Sequence, residues 1–148
     1  MLIESYRKLY SRELKKLKIE IELYKDEDNL WIRDKEIANS AGNLCLHLIG
    51  NLSHFIGHVL GKTDYVRNRE LEFITDDTSR EYMIYRIKEL VEIVDNTLKT
   101  LNNDELQRDY PISKFESTES IEFLLVHALM HLNYHVGQIN YHRRFLDF

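Results

Sequence analysis

Glycine and proline are scarce. Five glycines and one proline in 148 residues amount to about 4%, against an average usage near 12% for the pair. A chain so short of turn formers does not build a many-stranded β fold. One cysteine, Cys45, closes no intrachain bridge. Basic residues do not outnumber acidic ones: 20 Lys and Arg face 25 Asp and Glu, a formal charge of −5, so no sequence-wide positive field exists to hold phosphate backbones. Nucleic acid is not an expected partner. No apolar run approaches the ~18 to 20 residues of a membrane helix, the richest stretches being broken by His47 and His127. The amino terminus meets Glu4 before an apolar run can form. The expectation is a cytoplasmic protein without membrane association, and a length of 148 residues suits a single domain, 1–148.

What is present is helical periodicity. Ile3, Tyr6, Tyr10, Leu14, Leu17, Ile21 and Tyr24 recur at three- and four-residue steps, which lays them along one helix face. A polar stretch from Lys25 to Ser40 follows, and Trp31 within it is expected to pack over a bundle end. Apolar residues surround most of a second helix from about Ala41 to Leu60, so that helix is buried. A charged connection holding Arg67, Arg69, Glu70 and Glu72 reads as a crossover. Thr78 with Glu81 suggests a capping box for a third helix through Leu101. After Pro111, Ser117-Thr-Glu119 suits the start of a fourth helix that continues to about Arg144. The economical architecture is an all-α four-helix bundle with a crossover connection.

All seven histidines fall in residues 47–58 and 127–142. At 100° per residue His54 and His58 lie within about 20° of His47, so the three share a stripe. His127, His131 and His135 fan across one side of the last helix, and Gln138 and His142 continue it. Imidazoles at i and i+4 point the same way and can share a cation, while buried unliganded imidazoles leave a donor and an acceptor to satisfy. Three histidines from two helices would leave a coordination position open. Spacing does not choose among His47, His54 and His58. Depth along the helices favours His54 and His58 opposite His131, if the two helices run parallel with level starts.

His131-Leu-Asn-Tyr-His135-Val-Gly-Gln138-Ile resembles the last-helix motif of the DinB-like (YfiT-like) metalloenzyme superfamily. Asn39-Ser-Ala-Gly42-Asn-Leu-Cys-Leu-His47-Leu-Ile-Gly-Asn51-Leu is similar to the second-helix signature of one branch, and Asp64-Tyr-Val-Arg67-Asn-Arg69-Glu70-Leu-Glu72-Phe73 to its crossover loop. The resemblance implies a metal triad of His47, His131 and His135 on a bundle with a crossover. It also implies a metal-dependent enzyme acting on a small molecule, either a thiol-dependent transferase or a hydrolase. The alternative is a non-catalytic metal or small-molecule binding module. Imidazole ligands point to a divalent transition metal such as Zn²⁺, Ni²⁺ or Fe²⁺. Asn51 and Gln138 are placed to orient imidazoles. Arg67 and Arg69 either bind an anionic substrate at the bundle mouth or pair with Glu70 and Glu72 to pin the loop. Cys45, on another face from His47, reads as a buried small hydrophobe, Gly137 as a close helix approach, and His127 and His142 as satisfied polar residues. No Asp or Glu falls on the histidine stripes to act as a general base. A homodimer is the assembly entertained.

Overall fold

The computed structural model describes residues 2–148 and is all-helical. Helix α1 spans Leu2–Leu23, α2 Ala41–Leu52, α3 Arg69–Ile74, α4 Arg80–Lys99, α5 Asn103–Leu106 and α6 Ile121–Leu146. Four of these, α1, α2, α4 and α6, form the bundle. The apolar face of α1 fills its interior: Tyr10, Leu14, Leu17 and Ile21 are buried with Leu48, Leu52, Ile87, Leu90, Leu98 and Leu132. Helix α2 is buried at all but one of its 12 residues, as its apolar circumference requires.

Polar contacts fix the directions. Tyr6 donates to Glu122 near the starts of α1 and α6, and Tyr24 meets His142 near their ends, so these two helices run parallel. Arg7 near the start of α1 pairs with Asp95 late in α4, which makes that pair antiparallel. Gly57 lies beside Ile93 and Gly61 beside Thr97, so α2 and α4 run the same way. Residues 61–79, including the short α3, are therefore a true crossover, travelling back along the bundle before α4 begins. That route carries Glu72 over α2.

Several boundaries differ from the sequence pattern. Ser79, not Thr78, caps α4 by accepting from Tyr82 N–H, and Ser120 caps α6 in place of the Ser117 region. Helix α4 ends at Lys99, short of Leu101, and Asn102 with Glu105 forms a capping box that opens α5. After Leu52 the second helix continues through Ser53–His58 as a π turn, with Val59 N–H reaching back five residues to the His54 carbonyl at 3.0 Å. A π turn holds more residues than the 3.6 of an α turn. His58, its last residue, thereby drifts from the 100° phase that placed it on the His47 stripe.

Candidate metal centre

Helices α2 and α6 run antiparallel: His47 lies against His131 and His135, and His54, in the π turn that continues α2, shares a cavity with His127, which is earlier in α6. That course removes the premise of the depth argument. Parallel helices would have set His54 and His58 opposite His131, whereas antiparallel ones bring the early His47 to the middle of the longer α6. His47 Nε2 and His135 Nε2 each sit 3.1 Å from His131 Nε2. Ligand atoms of all three residues lie within 4.8 Å of one another.

The rings are held from behind. His47 Nδ1 lies 3.0 Å from Glu72 Oε1, and both side chains are buried. Arg67 grips the same carboxylate at both oxygens, Nε to Oε2 and Nη2 to Oε1, each at 2.9 Å. Burial works to raise the Glu72 pKa, but the hydrogen bonds from His47 and Arg67 outweigh it and hold the group below the ordinary carboxylate range. An ionised Glu72 is an acceptor only, so His47 donates Nδ1–H to it and its Nε2 carries a lone pair. Gly50 makes the contact feasible, since a Cβ there would collide with the Glu72 carboxylate. On α6, His135 Nδ1 and Gln138 Oε1 are 2.6 Å apart. With the oxygen so placed, His135 also donates Nδ1–H and bares Nε2.

Two Nε2 lone pairs thus point at one further Nε2, and His131 Nδ1 is buried with no partner. Either tautomer of His131 fails locally. A proton on Nε2 bridges one neighbour, leaves the other lone pair unmet and makes Nδ1 an orphan acceptor. A proton on Nδ1 makes an orphan donor and turns three lone pairs toward each other. Burial, then the nearby His135 and His47, push His131 down to about 3, which closes the route of simply protonating it. One cation accepting all three lone pairs relieves the arrangement. Tetrahedral ligands about 2.05 Å from a metal stand roughly 3.3 Å apart, close to the 3.1 Å that separates His131 Nε2 from each of the other two. The residues fit a divalent transition metal, and the all-imidazole donor set disfavours Mg²⁺ and Ca²⁺.

Of the remaining sequence candidates, Asn51 is buried beside His47 but makes no hydrogen bond, and its Oδ1 has no partner. Gln138 contacts His135, as described. Arg67 pins the loop through Glu72; Arg69 has no carboxylate partner and its guanidinium lies 5.2 Å from the Phe73 ring. His58 is exposed and turns to the Thr63 carbonyl. His142, 2.8 Å from the Ile32 carbonyl and 2.7 Å from the Tyr24 hydroxyl, is satisfied away from the triad. Burial pushes the Cys45 thiol far up, as an inert core residue requires. Gly137 is a correction: nothing lies within 4 Å of where its Cβ would stand, so it mediates no close approach. Trp31 packs its indole onto Gly42 at the start of α2. Glu72 pairs with Arg67 as the loop-pinning reading expects, but its hydrogen bond to His47 is not visible in the sequence, because it reaches the histidine from the crossover and not from a histidine-bearing helix.

Residues 2–147 match the family described as Protein of unknown function (DUF1572), a DinB/YfiT-like family. The chain belongs to it. Among curated proteins none matches. In this DUF1572 member the three converging histidines come from the two motifs, on α2 and α6, and the Arg67–Glu72 clamp comes from the third, in the crossover. No helix among the described residues is long and apolar enough to cross a membrane.

Proposed function

We propose that the chain is a metal-dependent enzyme that binds a divalent transition metal through His47, His131 and His135 and acts on a small molecule, by thiol transfer or by hydrolysis. The observation that carries the reading is the convergence of three Nε2 atoms, two of them stripped of protons by the acceptors behind them. Bound there, the cation would supply Lewis-acid activation of a water or thiol in the coordination position that three histidines leave free.

The chain's own groups divide the remaining work. Glu72 keeps the His47 proton on Nδ1, and Gln138 does the same for His135, so neither ring has to reorient on binding. Arg67 neutralises Glu72 and fixes its rotamer. Glu72 is not a proton acceptor for substrate, since both oxygens are occupied and its pKa is depressed. The free bases at the mouth are His54 and His127, which line the cavity containing His47 and His131. Burial and neighbouring cations lower both pKa values, so each is neutral at pH 7 and able to take a proton.

The test is elemental analysis of protein purified without an affinity tag, then reconstituted with Zn²⁺ or Ni²⁺. About one metal per chain is expected. Failure to bind either would overturn the enzyme reading together with the metal centre. Turnover screening with thiol donors and hydrolysable esters then separates a catalyst from a binding module.

A further inference from the structure

Beside the triad lies a cavity of about 500 Å³ whose walls include His47, His131, Asn51, Arg69 and Lys114. Among the described residues no Asp or Glu lines it. Arg67 also reaches it, but its charge is matched by Glu72. Arg69 and Lys114 are different: neither has a carboxylate partner, and Lys114 Nζ instead sits 4.2 Å from the Phe55 ring centroid. Two cations without counterions in a concave site repel each other and favour an incoming anion. Burial first, and then repulsion from Arg67 and Arg69, lowers the Lys114 pKa.

A second cavity sharpens the contrast. A cleft of about 880 Å³ between α1 and α4 also carries Lys and Arg, but acids stand among them: Asp95 pairs with Arg7 and Lys99, and Glu4 and Glu92 are in the same wall. The described lining of the triad cavity has no such acid.

An independent observation also points to a ligand. Asn51 is more than nine-tenths buried, lines this cavity and has no hydrogen-bond partner. The unpaired atom is its Oδ1, an acceptor whose desolvation cost a bound hydrogen-bond donor would remove.

Resting on the metal-centre reading, and deepening it, we infer that the small-molecule substrate is an anion whose phosphate or carboxylate group is held by Arg69 and Lys114, with a hydrogen-bond donor of the same molecule directed to Asn51 Oδ1. The acid group is gripped at the outer wall and the rest of the molecule extends toward His131. Arg67 is not part of the grip, because its fork is already closed on Glu72.

The experiment titrates inorganic phosphate and, separately, succinate into the full chain by calorimetry at constant ionic strength, with metal-stripped and metal-loaded protein. Lys114→Gln and Arg69→Gln are expected to weaken whichever probe binds by about tenfold or more, while Lys114→Arg largely restores it and Lys15→Gln, in the cleft between α1 and α4, changes nothing. Phosphate binding with succinate silent identifies a phosphorylated substrate; the reverse identifies a carboxylate. Metal content is measured on every variant and stays at the wild-type level in both Gln variants. Loss of anion binding in those variants with no metal in any protein would overturn the metal centre and leave the anion site standing. Anion binding that both Gln variants retain, or that appears only with metal loaded and ignores Arg69 and Lys114, would overturn the inference, as would no binding of either probe to the folded wild type.

Discussion

His47 and Glu72, 25 positions apart and on different elements, share a buried 3.0 Å hydrogen bond that fixes which nitrogen of the imidazole faces the triad. The carboxylate is held in turn by Arg67, so a charged crossover loop sets the protonation state of a residue on a core helix. Glu72→Gln keeps the shape and removes the charge. Partners of this kind are typically worth 10- to 100-fold in metal affinity, and a weakening of that size is expected in competition with a chromogenic chelator. Thermal unfolding should fall too, because Arg67 loses its counterion in a nearly dry setting where breaking such a pair costs about 3 kcal/mol. Unchanged metal affinity in the folded variant would remove Glu72 from the centre.

Gly50→Ala should reproduce much of that effect without touching a polar group. The added methyl collides with the Glu72 carboxylate, so the carboxylate must withdraw from His47. In an ordinary helix interior the same substitution would stabilise by about 1 kcal/mol. Weaker metal binding together with a lower melting temperature is the expected signature; a gain in stability would show that the crossover does not rest on α2.

His47→Ala, His131→Ala and His135→Ala are each expected to drop metal content well below one per chain, while His54→Ala, His58→Ala and His127→Ala retain it. His142→Ala should retain metal but lose stability, by about 2 kcal/mol, since Tyr24 O–H and the Ile32 carbonyl lose their buried partner. Inductively coupled plasma analysis and chemical denaturation separate the two kinds of loss.

The bundle was largely legible in the sequence because periodicity is a local property. Tyr6 through Ile21 and Met83 through Leu98 announce their faces residue by residue. The π turn at Ser53–His58 has no such signature, and an unbroken 100° phase carried through it misplaced His58. The placement of His47, and not His54, against His131 follows from the antiparallel course of α2 against α6, a tertiary fact that spacing and depth could not supply; the family resemblance implied His47 without it. Glu72 left a fainter trace: a glycine three residues after His47 and an acid five residues after Arg67. Each is ordinary alone, and their meaning depends on the crossover passing over Gly50. Gln138 was easier, being three residues beyond His135 on the same helix.

Acid should destabilise the metal-free protein below about pH 6.5, and His142 supplies a clean part of that dependence. Burial lowers its pKa, and the hydrogen bond to the Ile32 carbonyl opposes this only in part. The folded state therefore takes up this proton at lower pH than the unfolded chain, whose histidines titrate near 6.5. Between those two values the unfolded state binds more protons, so stability present above pH 6.5 declines as pH falls, by at most about 1.4 kcal/mol per pH unit for one proton. His131, pushed down to about 3, contributes with the same sign over a wider window. Urea denaturation of chelator-treated protein from pH 7.5 to 5 measures the slope, and His142→Gln should make it shallower by up to one proton. Metal loading should steepen the wild-type curve, because protons then compete with the cation at three coupled imidazoles. Loaded and stripped curves that coincide at pH 7.5 would show a bundle whose stability owes nothing to the centre, and an identical slope in His142→Gln would mean that this ring titrates alike in the folded and unfolded states.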